Sequence, residues 1–152
     1  AEVLPREQWI ALSNFVSEER EKATKSAGEE QFPVVDEEDR VIGSAERKKV
    51  HEDNLRHRAV HLLLFNDKGE VLLQKRSGRK DRHLFVWDSS AAGHVDAGED
   101  YDEAATRELS EELGVRTPLP RLVKLSASAR PGPECIWLHR GEHDAPSQLP
   151  RR

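Results

Sequence analysis

Glu108, Glu111 and Glu112 carry the strongest chemical signal in this chain. Spaced i, i+3 and i+4, they stack along one face of a helix. Like charges at that spacing destabilise a helix by roughly 0.2–0.5 kcal/mol per pair, so the row makes sense where a cation lies over it. Hard divalent ions that prefer oxygen ligands, Mg²⁺ or Mn²⁺, are the chemically matched partners. A second group has the opposite sign: Lys75, Arg76, Arg79, Lys80 and Arg82. Within it Arg76 and Lys80 are spaced to grip a diphosphate from a loop that follows a strand. Solvated acidic and basic faces are the plain alternatives for both groups.

Elements that would position these residues follow from periodicity and punctuation. Between Pro5 and Ala23 the apolar residues Trp9, Leu12 and Val16, with Ile10 and Phe15 beside them, recur at helical spacing. This predicts an amphipathic helix, packed on the body of the domain or on a second copy in a homodimer. Residues 1–30 then form a helical extension and linker, and residues 31–152 the main domain. Pro33 to Val35, the acidic turn Asp36 to Asp39, and Arg40 to Ser44 read as a hairpin. His57 to Phe65 reads as a strand, Asn66-Asp67-Lys68-Gly69 as a turn, and Val71 to Lys75 as the returning strand. Ser77 to His83 is a polar, basic loop, and Val86 to Ala92 a short strand leading into a turn at Gly93. Tyr101 to Leu113 should be the helix bearing the glutamates, with Gly114 at its C′ position, where a left-handed conformation favours glycine. Arg121 to Ser126 and Glu134 to His139 supply two further strands.

Composition narrows the function classes. At 152 residues, one domain with a hydrophobic core is expected. A net charge of −5 argues against a general nucleic-acid binder, which must neutralise phosphates with Lys and Arg. No apolar run approaches a membrane span and no leader pattern opens the chain, so the expectation is a cytoplasmic protein without membrane contact. Cys135 is the single cysteine, which excludes an intramolecular disulfide and a cysteine-based zinc site.

The stretch from Gly93 to Val115 resembles the Nudix box: Gly, five free positions, Glu, seven free, Arg-Glu, an aliphatic, one free, Glu-Glu, one free, Gly and an aliphatic. Gly93, Glu99, Arg107, Glu108, Leu109, Glu111, Glu112, Gly114 and Val115 meet every fixed position. A merely solvated acidic face does not explain why the glycines, Arg107 and Glu99 fall in register. The resemblance implies a Nudix-type α/β/α sandwich with a mixed central sheet. It also implies metal-dependent hydrolysis of a diphosphate linkage, as in nucleoside diphosphate derivatives, by metal-activated water. By the same resemblance Glu108, Glu111 and Glu112 are metal ligands, with the Gly93 carbonyl contributing, and one glutamate doubles as general base. Arg107 pairs with Glu99 and fixes the loop against the helix. Glu134, opening a strand, matches an additional acidic ligand or base; a solvated glutamate is its plain alternative.

From Val34 to Asp144 the chain is further similar to bacterial Nudix hydrolases related to type I isopentenyl diphosphate isomerase, through Val41-Ile42-Gly43, His57-Arg58-Ala59-Val60-His61, Trp87-Asp88 and Gly141-Glu142-His143-Asp144, among others. His51, His57 and His94 match that enzyme's histidine metal site, with Glu134 as an acidic ligand. The isomerase carries a proton-transferring cysteine before its Gly-His pair, and here that position is Ala92. A methyl group exchanges no proton, so hydrolysis leads and isomerisation is the alternative. A non-catalytic Nudix-fold binding module is a third reading, opposed by the complete set of box glutamates. Leu84-Phe85 replaces a usual Pro-Gly turn, and the sequence ends at Arg152, before the C-terminal helix such domains carry.

Overall fold

A nine-residue apolar run, His57–Phe65, forms the strand β3 that organises the domain. The computed structural model describes residues 30–75, 87–126 and 133–143. Before β3 come β1 (Gln31–Val35), β2 (Val41–Glu46) and a short helix α1 (Arg47–Glu52). After it come β4 (Val71–Leu72), β5 (Gln74–Lys75), β6 (Trp87–Asp88), β7 (Ala91–His94), helix α2 (Tyr101–Leu113), β8 (Arg121–Leu125) and β9 (Glu134–Glu142). The main sheet runs β2-β1-β3-β9-β8, with β4 and β7 also pairing with β3. β3 and β9 are parallel from His57 opposite Glu134 to Phe65 opposite Glu142, while β7 runs antiparallel to β3. This is the mixed α/β architecture expected.

Alternation along β3 decides the two faces. Val60, Leu62 and Leu64 turn toward α2 and pack with Ala91, Val95, Ala104, Ala105, Leu109 and Leu113 in the core. At about 25 cal/mol per Å² of apolar surface, such buried Leu and Val side chains contribute about 1.5–3 kcal/mol each.

Two expected strands are interrupted. Val71 to Lys75 divides at Leu73 into β4 and β5, and the strand expected over Val86 to Ala92 divides at Ser89 and Ser90 into β6 and β7. Ser90 supplies the physical reason. Its hydroxyl accepts from the Leu64 amide (2.7 Å) and donates to the Leu72 carbonyl, doing with a side chain what a strand ladder does with backbone. The chain thereby passes from the β5–β6 pair into the main sheet.

No sustained periodic run marks residues 47–52, yet they form α1. Val50 is its one buried residue, and the ion pair Lys49–Asp53 (2.6 Å) supports its exposed side. Asp39, expected in a simple acidic turn, is instead 8% exposed. Its carboxylate accepts from Arg58 (2.8 Å) and Tyr101 (2.9 Å) and lies 2.6 Å from Lys124. One turn residue thereby joins the β1–β2 hairpin to β3, α2 and β8. Burial pushes its carboxyl up, but the bonds from Lys124, Arg58 and Tyr101 outweigh that and hold it below the usual carboxylate range.

The helix expected over Pro5 to Ala23 lies outside the described residues. Among the described residues no helix is long and apolar enough to cross a membrane.

Candidate active site

Helix α2 begins where Asp100 accepts from the Glu103 amide (2.8 Å) and the Glu103 side chain accepts from the Asp100 amide (2.9 Å), a reciprocal cap. It ends at Gly114, whose φ of 65° is the left-handed conformation expected of it. Its buried residues are Tyr101, Ala104, Ala105, Glu108, Leu109, Glu112 and Leu113. That is an unbroken apolar-type stripe in which two positions are glutamates. Glu108 is 2% exposed and Glu112 4%. Glu111 stands at the rim, 49% exposed. Burying a carboxylate costs several kcal/mol unless ion pairs and hydrogen bonds offset it.

Arg107 supplies part of that offset. Its Nε donates to Glu99 Oε1 (2.8 Å) and Nη2 to Glu99 Oε2 (2.9 Å), a bidentate pair. Nη2 also reaches the His94 carbonyl (3.0 Å), and Nη1 donates to Glu108 Oε1 (2.8 Å) and Glu111 Oε2 (3.4 Å). Burial raises the Glu99 carboxyl, but the Arg107 bond and the Asp96 amide together hold it below its ordinary value. Gly93 is required by space: a Cβ there would overlap the Glu108 carboxyl. Glu112 receives the Ala92 amide at 3.4 Å. Gly93, Glu99, Arg107, Glu108, Glu111 and Glu112 therefore form one connected group, as the resemblance to the Nudix box implied.

Glu134 belongs to a different group. Its Oε1 lies 3.4 Å from both His57 Nε2 and His94 Nε2. The two imidazoles hold its carboxyl far below the usual carboxylate range. The side chains of His51, His57 and His94 each offer a ligand atom within 4.8 Å of the others. Phe32 stacks on His94 with ring centroids 4.5 Å apart. Burial lowers the pKa of His94 and, with the repulsion that would arise if both rings were protonated, that of His51, so both favour the neutral, ligating imidazole.

Both groups fit a divalent ion by their own chemistry. On α2, two carboxylates occupy a buried stripe where apolar residues would be more stable. Among the histidines, His57 Nδ1 lies 2.9 Å from the Leu55 carbonyl, which turns Nε2 toward the Glu134 carboxylate and the other two rings. That buried Nε2 has no hydrogen-bond partner in the described structure and faces the other ring nitrogens. Oxygen donors suit Mg²⁺ or Mn²⁺ at the first group, and imidazoles suit a transition ion at the second.

Residues 55–145 match the NUDIX domain family. The chain belongs to the Nudix family. An uncharacterized Nudix hydrolase of Pseudomonas aeruginosa is 45% identical over 87 residues, 57% of this chain and 52% of that protein. Isopentenyl-diphosphate Delta-isomerase 2 of Photorhabdus laumondii is 39% identical over 89 residues, 59% of this chain and 50% of that protein. The crystal structure of DR0079 from Deinococcus radiodurans superposes with a TM-score of 0.66 at 30% identity, covering 76% of this chain and 74% of that one. The chain spans about half the length of the curated relatives it matches.

In this Nudix domain β7 separates the two groups. Gly93 faces α2, while Ala92 and His94 face the other side of the sheet, and β7 pairs only with β3 among the described residues. Ala92 thus stands two residues from a histidine ligand candidate with no ionisable group of its own. Arg76 and Lys80 lie outside the described residues. Spacing alone did not point to His61, Ser89 and Asp88, which the fold brings together near Ala92; the polar residues Asp88-Ser89-Ser90 within an expected strand were the available signal.

Proposed function

We propose that this domain hydrolyses the diphosphate linkage of a small organic metabolite, such as a nucleoside diphosphate derivative. The observation that carries the reading is the pair of glutamates in the buried stripe of α2, braced by Arg107 and given room by Gly93. Glu108, Glu111, Glu112 and the Gly93 carbonyl would hold Mg²⁺ or Mn²⁺. A bound ion of this kind supplies neutralisation of the phosphate charge and a water molecule of lowered pKa. One of the glutamates would take the proton of the water that attacks phosphorus, and half-exposed Glu111 is the one we assign. The bridging P–O bond breaks, and the leaving phosphate carries the electron pair away. Arg107 bonded to Glu99 keeps the loop fixed against the helix throughout. Arg76 and Lys80 would supply positive charge to the diphosphate. Residues 31–152 are assigned here to the Nudix domain; the buried single cysteine suits a cytoplasmic location.

The histidine group with Glu134 favours a second reading, isomerisation of an allylic diphosphate, which Ala92 opposes. Turnover in ¹⁸O water, with nucleoside diphosphate sugars, dinucleotides, nucleoside triphosphates and isopentenyl diphosphate as substrates, separates them. Labelled phosphate product is expected, and Glu111→Gln should abolish it without unfolding the protein. Dimethylallyl diphosphate formed without phosphate release would replace this reading with the second. Binding with no product of either kind would leave a binding module.

A further inference from the structure

His94 takes part in both groups. Its Nε2 lies 3.4 Å from Glu134 Oε1, and its ring offers a ligand atom within 4.8 Å of those of His51 and His57. Its carbonyl oxygen accepts from Arg107 Nη2 (3.0 Å) on α2. From there a single guanidinium leads to the glutamates, because Nη1 of Arg107 donates to Glu108 Oε1 (2.8 Å) and Glu111 Oε2 (3.4 Å). Two neighbours on the same strand reinforce the connection: the Ala92 amide meets Glu112 Oε2 at 3.4 Å, and Gly93 lies so close to the Glu108 carboxyl that a Cβ would overlap it.

β7 is suited to carry a constraint from one face of the sheet to the other. It is four residues long and, among the described residues, pairs only with β3. The histidines stand on separate elements, His51 on α1, His57 on β3 and His94 on β7. An ion bound by these rings would tie the elements at one point and fix β7 against β3 and α1. Phe32 stacks on two of the rings, with centroids 4.5 Å from His94 and 5.8 Å from His57. The rings therefore cannot swing freely, and a constraint on His94 passes to its backbone and the carbonyl that meets Arg107.

A ligand that orders an element lowers the ordering cost left for a second ligand using the same element. We propose that His94 is a positioning residue that couples the two groups: an ion taken up by the histidines orders β7 and raises the affinity of the α2 glutamates for Mg²⁺ or Mn²⁺. This rests on the metal site of the hydrolase reading above and adds a regulation of that site. Coupling between binding sites is reciprocal. With one guanidinium in the path, a factor of about 5 is expected in each direction, the low end of the usual range for linked sites.

The test uses the full chain and the metals alone. Mg²⁺ probes the glutamates and Zn²⁺ or Co²⁺ the histidines, because carboxylate oxygen suits Mg²⁺ and imidazole suits transition ions. Calorimetric titration with Mg²⁺ should give a Kd about 5-fold lower when stoichiometric Zn²⁺ is bound. Co²⁺ binding, followed by the visible absorption of the cobalt–imidazole centre, should tighten by the same factor in saturating Mg²⁺. Amide exchange along β7 should slow on Zn²⁺ binding. His51→Ala removes a ring borne on α1 and should bind Mg²⁺ as the metal-free wild type does, without a response to Zn²⁺. Arg107→Lys, which lacks the fork to hold Glu99, Glu108 and the His94 carbonyl together, should keep both uptakes and lose most of the coupling. An Mg²⁺ Kd that Zn²⁺ leaves unchanged, no Co²⁺ or Zn²⁺ uptake by the histidines, unaltered β7 exchange, or undiminished coupling in Arg107→Lys overturns the proposal and leaves the hydrolase reading standing. Absence of Mg²⁺ uptake with and without Zn²⁺ overturns the metal site of that reading and this inference with it.

Discussion

Removing the Arg107 guanidinium should destabilise the protein as well as slow it. Arg107→Ala deletes four close hydrogen bonds, two to Glu99, one to Glu108 and one to the His94 carbonyl. Two of the groups left behind are poorly solvated, Glu99 at 16% exposure and Glu108 at 2%. Removing one partner of a buried ion pair costs about 3–5 kcal/mol. Arg107 is itself 26% exposed, so water relieves some of that and about 2–4 kcal/mol is expected. In a chain of this size each kcal/mol lowers Tm by about 2–4 °C, which gives a fall of about 5–15 °C. Arg107→Lys keeps the charge but not the fork and should fall between the two. The pH dependence follows from Glu99, whose carboxyl is held below its ordinary value in the folded state. Such a group adds stability above its unfolded pKa and loses it as the pH falls through the folded one. The difference between wild type and Arg107→Ala should therefore shrink in acid. Thermal unfolding followed by circular dichroism, at neutral pH and through the acid range, measures both effects. A variant melting within about 1 °C of wild type, or a difference that grows in acid, would refute this role for Arg107.

Gly93→Ala should drive the new methyl group into the Glu108 carboxyl. Overpacking of this kind costs about 1–3 kcal/mol and should weaken Mn²⁺ binding in a titration, whereas Gly43→Ala, with open space around it, should change neither. Asp39→Ala should lower stability in urea unfolding by about 3–5 kcal/mol, because Arg58, Tyr101 and Lys124 lose a common acceptor. Since the folded Asp39 carboxyl sits below its ordinary value, the contribution is present at neutral pH and disappears as the pH falls through that lowered value.

Local chemistry was readable from the residues and convergence was not. The span of α2 and its αL stop at Gly114 follow from short-range spacing, the Arg107–Glu99 pair from the resemblance to the Nudix box, and the structure places them there. The breaks in the strands around Leu73 and Ser90 depend on one serine hydroxyl meeting two backbone groups brought in by β3 and β4, which no periodicity encodes. Asp39 looked like turn chemistry because its neighbours in sequence are acidic; its partners Arg58, Tyr101 and Lys124 come from three other elements. The resemblance set Glu134 with both the α2 glutamates and the histidines, and the parallel register that puts it opposite His57 decides for the histidines. Without that pairing, a carboxylate at a strand start belongs as readily to the α2 group as to the histidines.

Calorimetric titration of the full chain with Mg²⁺, an ion that favours carboxylate oxygen over imidazole, addresses the acidic stripe of α2 most directly. Run with and without inorganic pyrophosphate, it should show uptake by the wild type that strengthens when pyrophosphate is present. Glu111→Gln, altered at a half-exposed position that the fold tolerates, should bind markedly less. Absence of Mg²⁺ uptake by the wild type under both conditions, or equal uptake by the variant, would contradict the assignment of these glutamates as a metal site.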